Sequence, residues 1–408
     1  MTDILKPRDA KDVEDAVVWA LSEAKTLEVA GQGSKRGLGR PSQSDFTLDL
    51  SALSGVTLYE PEELVLSARA GTPIAEIEKL VAASGQELAF EPADYGPLLG
   101  SGSGSGTIGG VIAANLSGPR RIKAGAARDH FLGVSAVSGR GETFKSGGRV
   151  VKNVTGYDLC KLMAGSFGTL GAMTDITVKT LPRAETEVSV AILGLDAAQA
   201  TRAMADAMGS SCDVSGAAHL PAGVAGSIQG LEAGHRAGKG ATLFRLEGVA
   251  PSVSHRSGML AALLKPLGAV EILPVEVSRG LWRAIRDVTP FADGGTEPVW
   301  RISTAPMQGA SLAAGIAAAA GGSWYLDWGG GLIWMSLPPS DDAGAAKLRP
   351  IVAKSGGHAT LIRAPAAIRA AVPVFEPQDD GVAALSRRVK ESFDPKGILN
   401  AGRMWAGV

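Results

Sequence analysis

The sequence predicts an α+β protein of two parts. Three observations carry that prediction: a length of 408 residues, glycine-rich turns gathered before Pro182, and a shift after Pro182 to alanine-rich helices alternating with strands. A single core stops growing well below this length, so two domains are expected. The boundaries read as 1–183 for the first domain, 184–384 for the second, and 385–408 for a helix and tail returning to the first.

The elements follow from periodicity and punctuation. Val13, Val17, Ala20 and Leu21 recur at helical spacing between Asp9 and Ala24, and LEVAGQGSK then reads as a strand entering a glycine turn. VTLYEPEELVLSARA alternates like two paired strands. Thr72 and Pro73 suit the N-cap and first position of a helix over Ile74 to Ala83 that Gly85 ends, and QELAF reads as the next strand. VSAVSGRGETFKS is a hairpin, Tyr157 to Met163 a short helix, and TDITVKTLP an alternating strand. Beyond Pro182, VSVAILGL precedes a helix over Ala197 to Met208, and TLFRLEGV precedes one over Val253 to Leu264. VWRISTAP precedes an alanine run, and WYLDW faces LIWMSLP across three glycines. No repeat is evident along the chain.

Composition excludes several functions. A net charge of −1 gives no global attraction to nucleic acid or anionic lipid. Cys160 and Cys212 are far apart without a CxxC spacing, which argues against a disulfide framework, a structural zinc or an iron–sulfur site, and for a reducing compartment. No apolar run reaches membrane-spanning length, so the expected location is cytoplasmic, with any inner-membrane contact made through partner subunits.

Three stretches offer unhindered backbone N–H groups that could approach a phosphate: AGQGSKRGLGRP, GSGSGTIGGVIAANLSG and the turn MAGSFGTLGAMT. Gly104 to Gly109 spell G-x-G-x-x-G, and Asp129 lies at the usual acidic spacing. The stretch before them, EPADYGPLLGS, is broken by proline and glycine, which disfavours a nicotinamide Rossmann site.

The order of these turns resembles the vanillyl-alcohol-oxidase, or PCMH-type, FAD-binding superfamily over Lys6 to Arg183 and the tail FDPKGILNAGRM. Within it, the run from Thr107 to Thr174 is similar to the FAD-binding E subunits of bacterial glycolate oxidases. The resemblance implies a PCMH-type two-subdomain fold with a ferredoxin-like α+β cap, and FAD held without a covalent bond. The backbone of Gln32, Gly33, Ser34 and Lys35 would hold the pyrophosphate. Thr107, Ile108, Gly109 and Gly110 would border flavin and phosphates, and Asn115, Ser117 and Gly118 would continue that wall. Arg128 and Asp129 fill the family's short polar turn, Gly168, Thr169, Leu170 and Ile176 would lie along ribose and adenine, and Asn400 would come back toward the cofactor. Relatives with a covalent flavin use a histidine in the first loop or a cysteine near the second; here Ser34 and Lys35 fill the loop and Cys160 sits in a helix.

The resemblance further implies oxidation of glycolate to glyoxylate in a complex with a second FAD-linked catalytic subunit and an iron–sulfur subunit. Related 2-hydroxy-acid dehydrogenases carry a histidine-rich metal and base cluster in the cap. His130, His219, His235, His255 and His358 form no such pairing, so no metal is expected and no catalytic base is evident. His130, Arg286 and Arg301 are the candidate catalytic residues, the arginines as carboxylate partners. Trp324, Trp328 and Trp334 read as cap core. Two other readings remain: a structural or assembly subunit that keeps the FAD fold, and a stand-alone FAD-dependent hydroxy-acid oxidase.

Overall fold

Asp9 opens the first helix, Ala10–Ser22, by accepting a hydrogen bond from the Asp12 amide, and Val13, Val17 and Ala20 then fall on its buried stripe. The computed structural model describes residues 3–149, 156–231, 236 and 238–408. The chain divides into two units: Met1–Ser117, Gly125–Arg183 and Pro373–Val408 form the first, and Gly118–Ala124 with Ala184–Val372 form the second.

In the first unit, β1 (Asp3–Leu5), β2 (Leu27–Ala30) and β3 (Phe46–Asp49) form a parallel sheet in the order β1-β3-β2. β4 (Val56–Glu60) and β5 (Val65–Arg69) pair as the alternation predicts. β6 (Gln86–Glu87) lies between them and β7 (Phe131–Ser138), β8 (Thr143–Gly147), β9 (Gly171–Lys179) and β10 (Leu181–Pro182). An antiparallel sheet runs β4-β5-β9-β7-β8, and β6 pairs only with β10. QELAF is therefore a strand for just two residues. Thr72 is not a helix cap either: its hydroxyl donates to the Arg69 carbonyl at 2.6 Å, and Pro73 takes the cap position of Ile74–Ala83 without a side-chain bond.

The tail is part of this unit's core. Ile398 and Leu399 pack with Val13, Val17, Leu27 and Leu48, and Leu399 forms an isolated parallel bridge to Leu27. The return begins at Pro373 rather than Leu385, and its helix spans Asp380–Phe393. Lys390 and Asp394, both buried, knot the return in place. The Lys390 ammonium donates to the Thr169 carbonyl at 2.7 Å, to the Leu399 carbonyl at 2.9 Å and to Asp394 Oδ2 at 2.7 Å. Asp394 in turn accepts from the amides of Ile398 and Leu399 at 3.0 and 2.8 Å.

The second unit holds β11 (Thr186–Leu193), β12 (Gly216–Leu220), β13 (Ala241–Gly248), β14 (Val270–Leu273), β15 (Val299–Ser303), β16 (Ser323–Asp327), β17 (Leu332–Ser336) and β18 (His358–Arg363) in one antiparallel sheet. The order β14-β11-β13-β12-β16-β17-β15-β18 is a mirror sequence. Each half is a strand–helix–strand–strand–helix–strand unit of ferredoxin type: helices Ala197–Met208 and Ala250–Leu264 serve the first half, Gly309–Ala320 and Ala345–Lys354 the second. The halves meet at the single register pair His219–Leu326. A duplicated topology is thus present where the sequence suggests no repeat. Trp328 and Trp334 are buried here, as expected for cap core, whereas Trp324 is half-buried.

Candidate functional site

β2 ends at Ala30 and releases the chain into the turn 31–36, which lies against Thr107 at the head of helix Ile108–Ala114. A Cβ on Gly31 would sit 2.6 Å from Thr107 Oγ1, so only glycine permits this approach. On the other wall Gly168 has φ +73°, and a Cβ there would lie 2.7 Å from Asn400 Nδ2. Between these walls opens a cleft whose lining includes Gln32, Gly33, Ser34, Lys35, Thr107, Gly109, Gly110 and Gly168.

The donors of the two glycine stretches differ in availability. Among the described residues, the amides of Gln32, Gly33, Ser34 and Lys35 donate to no other group of the chain. At the head of helix Ile108–Ala114 the opposite holds. Ile108 N–H donates to Thr72 O at 3.0 Å, Gly109 N–H to Ala70 O at 2.8 Å and Gly110 N–H to Thr107 Oγ1 at 3.2 Å. The first turn of that helix therefore has no spare amide, whereas the first loop has four.

The loop is held by the tail. Arg403 Nη2 donates to Lys35 O at 2.9 Å, and Arg403 O accepts from the Arg40 amide at 2.8 Å. Asn400 bridges the two walls, accepting from Val29 N at 2.8 Å and donating to Phe167 O at 2.7 Å. Its side chain is a bracket. Three cations line the cleft. Arg36 and Arg403 approach Glu28 at 3.1 and 4.0 Å, whereas the nearest polar neighbour of Lys35 Nζ is Ser34 Oγ at 3.3 Å. Burial pulls the Lys35 ammonium down to about 8, against the opposing charge of Asp94. A cation so desolvated suits an anionic ligand.

The remaining predicted residues sit elsewhere in the framework. Ile108, Leu170 and Ile176 are core side chains, and Thr169 bonds the Ser166 carbonyl. Asn115 caps its helix in the left-handed region and accepts from the Arg128 amide, Ser117 accepts from the Ala127 amide, and Asp129 from the Ala126 amide. Arg128 Nε donates to the Lys161 carbonyl. Their polar side chains thus brace the polar turn. Gly118 belongs to the second unit, where its carbonyl accepts from Trp328 Nε1 at 3.1 Å.

Of the candidate catalytic residues, His130 is buried against Phe90, with ring centroids 5.4 Å apart. Arg286 is paired with Asp287 at 2.8 Å, and the Arg301 and Arg121 guanidinium carbons lie 4.9 and 4.4 Å from the Trp328 ring centroid. Each arginine therefore has a structural occupation. Arg245 does too, stacking on Trp282 and approaching Glu247 at 3.4 Å, while Arg120 binds the same carboxylate. His235 lies outside the described residues. Among the described residues no group of three or more His, Cys, Asp or Glu could hold a metal, and no helix is long and apolar enough to cross a membrane.

Two sheets carrying a glycine-walled cleft, joined in sequence to an antiparallel cap, define a flavoprotein fold of the PCMH type. The structure matches that of p-cresol methylhydroxylase with a TM-score of 0.71 over 98% of this chain and 88% of that one, at 14% identity. The family described as FAD binding domain matches residues 3–147. More specifically, the chain is 32% identical over 404 residues to glycolate oxidase subunit GlcE of Escherichia coli strain K12, covering 96% of each, and it belongs to the GlcE family. It is also 28% identical over 201 residues to glycolate oxidase subunit GlcD of Bacillus subtilis strain 168, across 48% of this chain and 41% of that one. The chain is thus an FAD-dependent oxidoreductase of α+β, PCMH-type fold.

Proposed function

We propose that this chain is the FAD-binding subunit of a multi-subunit glycolate oxidase, working with a second FAD-linked subunit and an iron–sulfur subunit. The observation that carries the reading is the whole-length match to GlcE, joined to a cleft whose first loop offers four uncommitted amides. The first unit is the cofactor half and the second the cap.

Bound FAD would supply an acceptor for the hydrogen of a 2-hydroxy acid's alcohol carbon. The amides of Gln32, Gly33, Ser34 and Lys35 hold its diphosphate, and Asn400 keeps β2 and the Phe167 turn at a fixed separation around it. Attachment is non-covalent: Ser34 and Lys35 occupy the first loop, and burial pushes the Cys160 thiol up to about 11, which leaves no nucleophile there. The protein is cytoplasmic and reaches the membrane only through its partners.

Anaerobic titration of the isolated chain with glycolate, following flavin absorbance, tests this. The expected result is a flavin spectrum that glycolate bleaches only after the partner subunits are added. Bleaching of the chain alone would establish an independent oxidase, and a chain that takes up no flavin would establish an assembly role.

A further inference from the structure

We infer that the Lys35 side chain, and not only its amide, is a cofactor-binding group: its ammonium is the counter-charge of the FAD diphosphate, taking the place that helix N-terminal amides would otherwise fill. The inference rests on the FAD reading above and goes beyond the backbone role expected from sequence.

Position is the first argument. Lys35 Nζ lies over the glycine stretch, 3.4 Å from where a Cβ on Gly106 would stand and 3.5 Å from one on Gly110. The second argument is what surrounds it. Among the described residues no carboxylate comes within ion-pair distance of Nζ; Asp94 acts on it only at longer range and is itself bound by the Gly104 amide and the Ser103 hydroxyl, each at 2.8 Å. The other cations of the cleft, Arg36 and Arg403, are drawn to Glu28. The third is that Ile108, Gly109 and Gly110, in the first turn of the helix, have spent their amides inside the fold, so that turn offers a diphosphate no N–H beyond the Thr107 N-cap. A doubly charged diphosphate in this cleft would meet four loop amides and one desolvated ammonium. That ammonium is costly to bury unless an anion arrives.

The linkage has a definite sign. With the cleft empty, Lys35 loses its proton near pH 8. A bound diphosphate raises that value, so binding takes up a proton in the window above pH 8 and none well below it. FAD affinity should therefore hold up to about pH 8 and fall above it.

The experiment uses the full-length apoprotein, stripped of flavin and titrated calorimetrically with FAD and with riboflavin, which lacks phosphate. The proteins are wild type, Lys35→Met and Lys35→Arg. The inference expects Lys35→Met to weaken FAD binding on the order of 10–100-fold, as for loss of a charged hydrogen bond, while riboflavin changes less than about 3-fold. Lys35→Arg should restore most of the FAD affinity. Wild type titrated at pH 8.5 in two buffers of different ionisation enthalpy should show fractional proton uptake that vanishes at pH 6.5. If Lys35→Met binds FAD as wild type does, or loses FAD and riboflavin equally, the inference is overturned while the FAD reading stands. If Lys35→Met fails to fold, Lys35→Gln is titrated in its place, and FAD affinity equal to wild type there overturns the inference. A wild-type apoprotein with no affinity for FAD would remove both.

Discussion

Replacing Lys390 by Met tests whether the tail knot holds the cofactor half together. The ammonium makes three bonds of 2.7–2.9 Å, and its carboxylate partner Asp394 is 1% exposed. Methionine keeps the apolar stem, so the change isolates the charge. Two carbonyls lose their donor, and Asp394 keeps only the amides of Ile398 and Leu399. Breaking one side of a buried pair costs about 3–5 kcal/mol. At about 2–4 °C per kcal/mol for a domain of this size, the melting temperature should fall by about 6–20 °C. Differential scanning calorimetry of the apoprotein measures it directly. The double variant Lys390→Met/Asp394→Asn removes the stranded charge while keeping a side-chain oxygen that can accept from the Ile398 or Leu399 amide, and should recover part of the loss. A fall of less than about 1 kcal/mol in the single variant, or no recovery in the double, would refute the reasoning.

Asn400→Ala removes both halves of the Val29–Phe167 bracket, and should cost about 1–3 kcal/mol of stability while weakening FAD binding, measured by flavin fluorescence; unchanged affinity would show that the bracket does not set the cleft. Burial holds the His219 imidazole down to about 4, so the unfolded chain binds more protons between about pH 6.5 and 4. Stability should therefore be full above pH 6.5 and decline as pH falls toward 4, and urea titrations of His219→Gln should show a flatter decline; an unaltered slope would assign the effect to other groups. Cys160 is fully buried with its thiol pushed up to about 11, so iodoacetamide at pH 8 should label it roughly a hundred-fold more slowly in the native protein than in urea, as mass spectrometry would report.

Local signals proved readable where one stretch of chain holds its own structure. The helix Ala197–Met208 has the bounds its pattern predicts, because Asp196 and Gln199 form a reciprocal capping box at its start. β4 and β5 pair antiparallel as their pattern predicts, with Val65, Leu66 and Ala68 of β5 buried. Thr72 misleads for a related reason: a hydroxyl that suits a cap suits a turn equally, and here the Arg69 and Gly55 backbones claim it. Among the site residues, the loop Gln32–Lys35 and the glycines of the cleft are visible as composition. Lys35 as a side chain is not, since nothing in AGQGSKRG indicates that its ammonium folds back over Gly106 and Gly110.

By itself the sequence determined the two-part α+β organisation, the glycine turns and the family, all of which depend on neighbours within a few residues or on residue identity. Tertiary structure alone decided that Lys390 reaches Thr169, that Asn400 joins Val29 to Phe167, that the cap is two mirrored halves, and which of the glycine-stretch amides remain uncommitted. Those outcomes depend on pairings between groups that are not neighbours in sequence, the tail bonds spanning 221 to 371 positions, and packing chooses the partners without leaving a periodic trace along the chain.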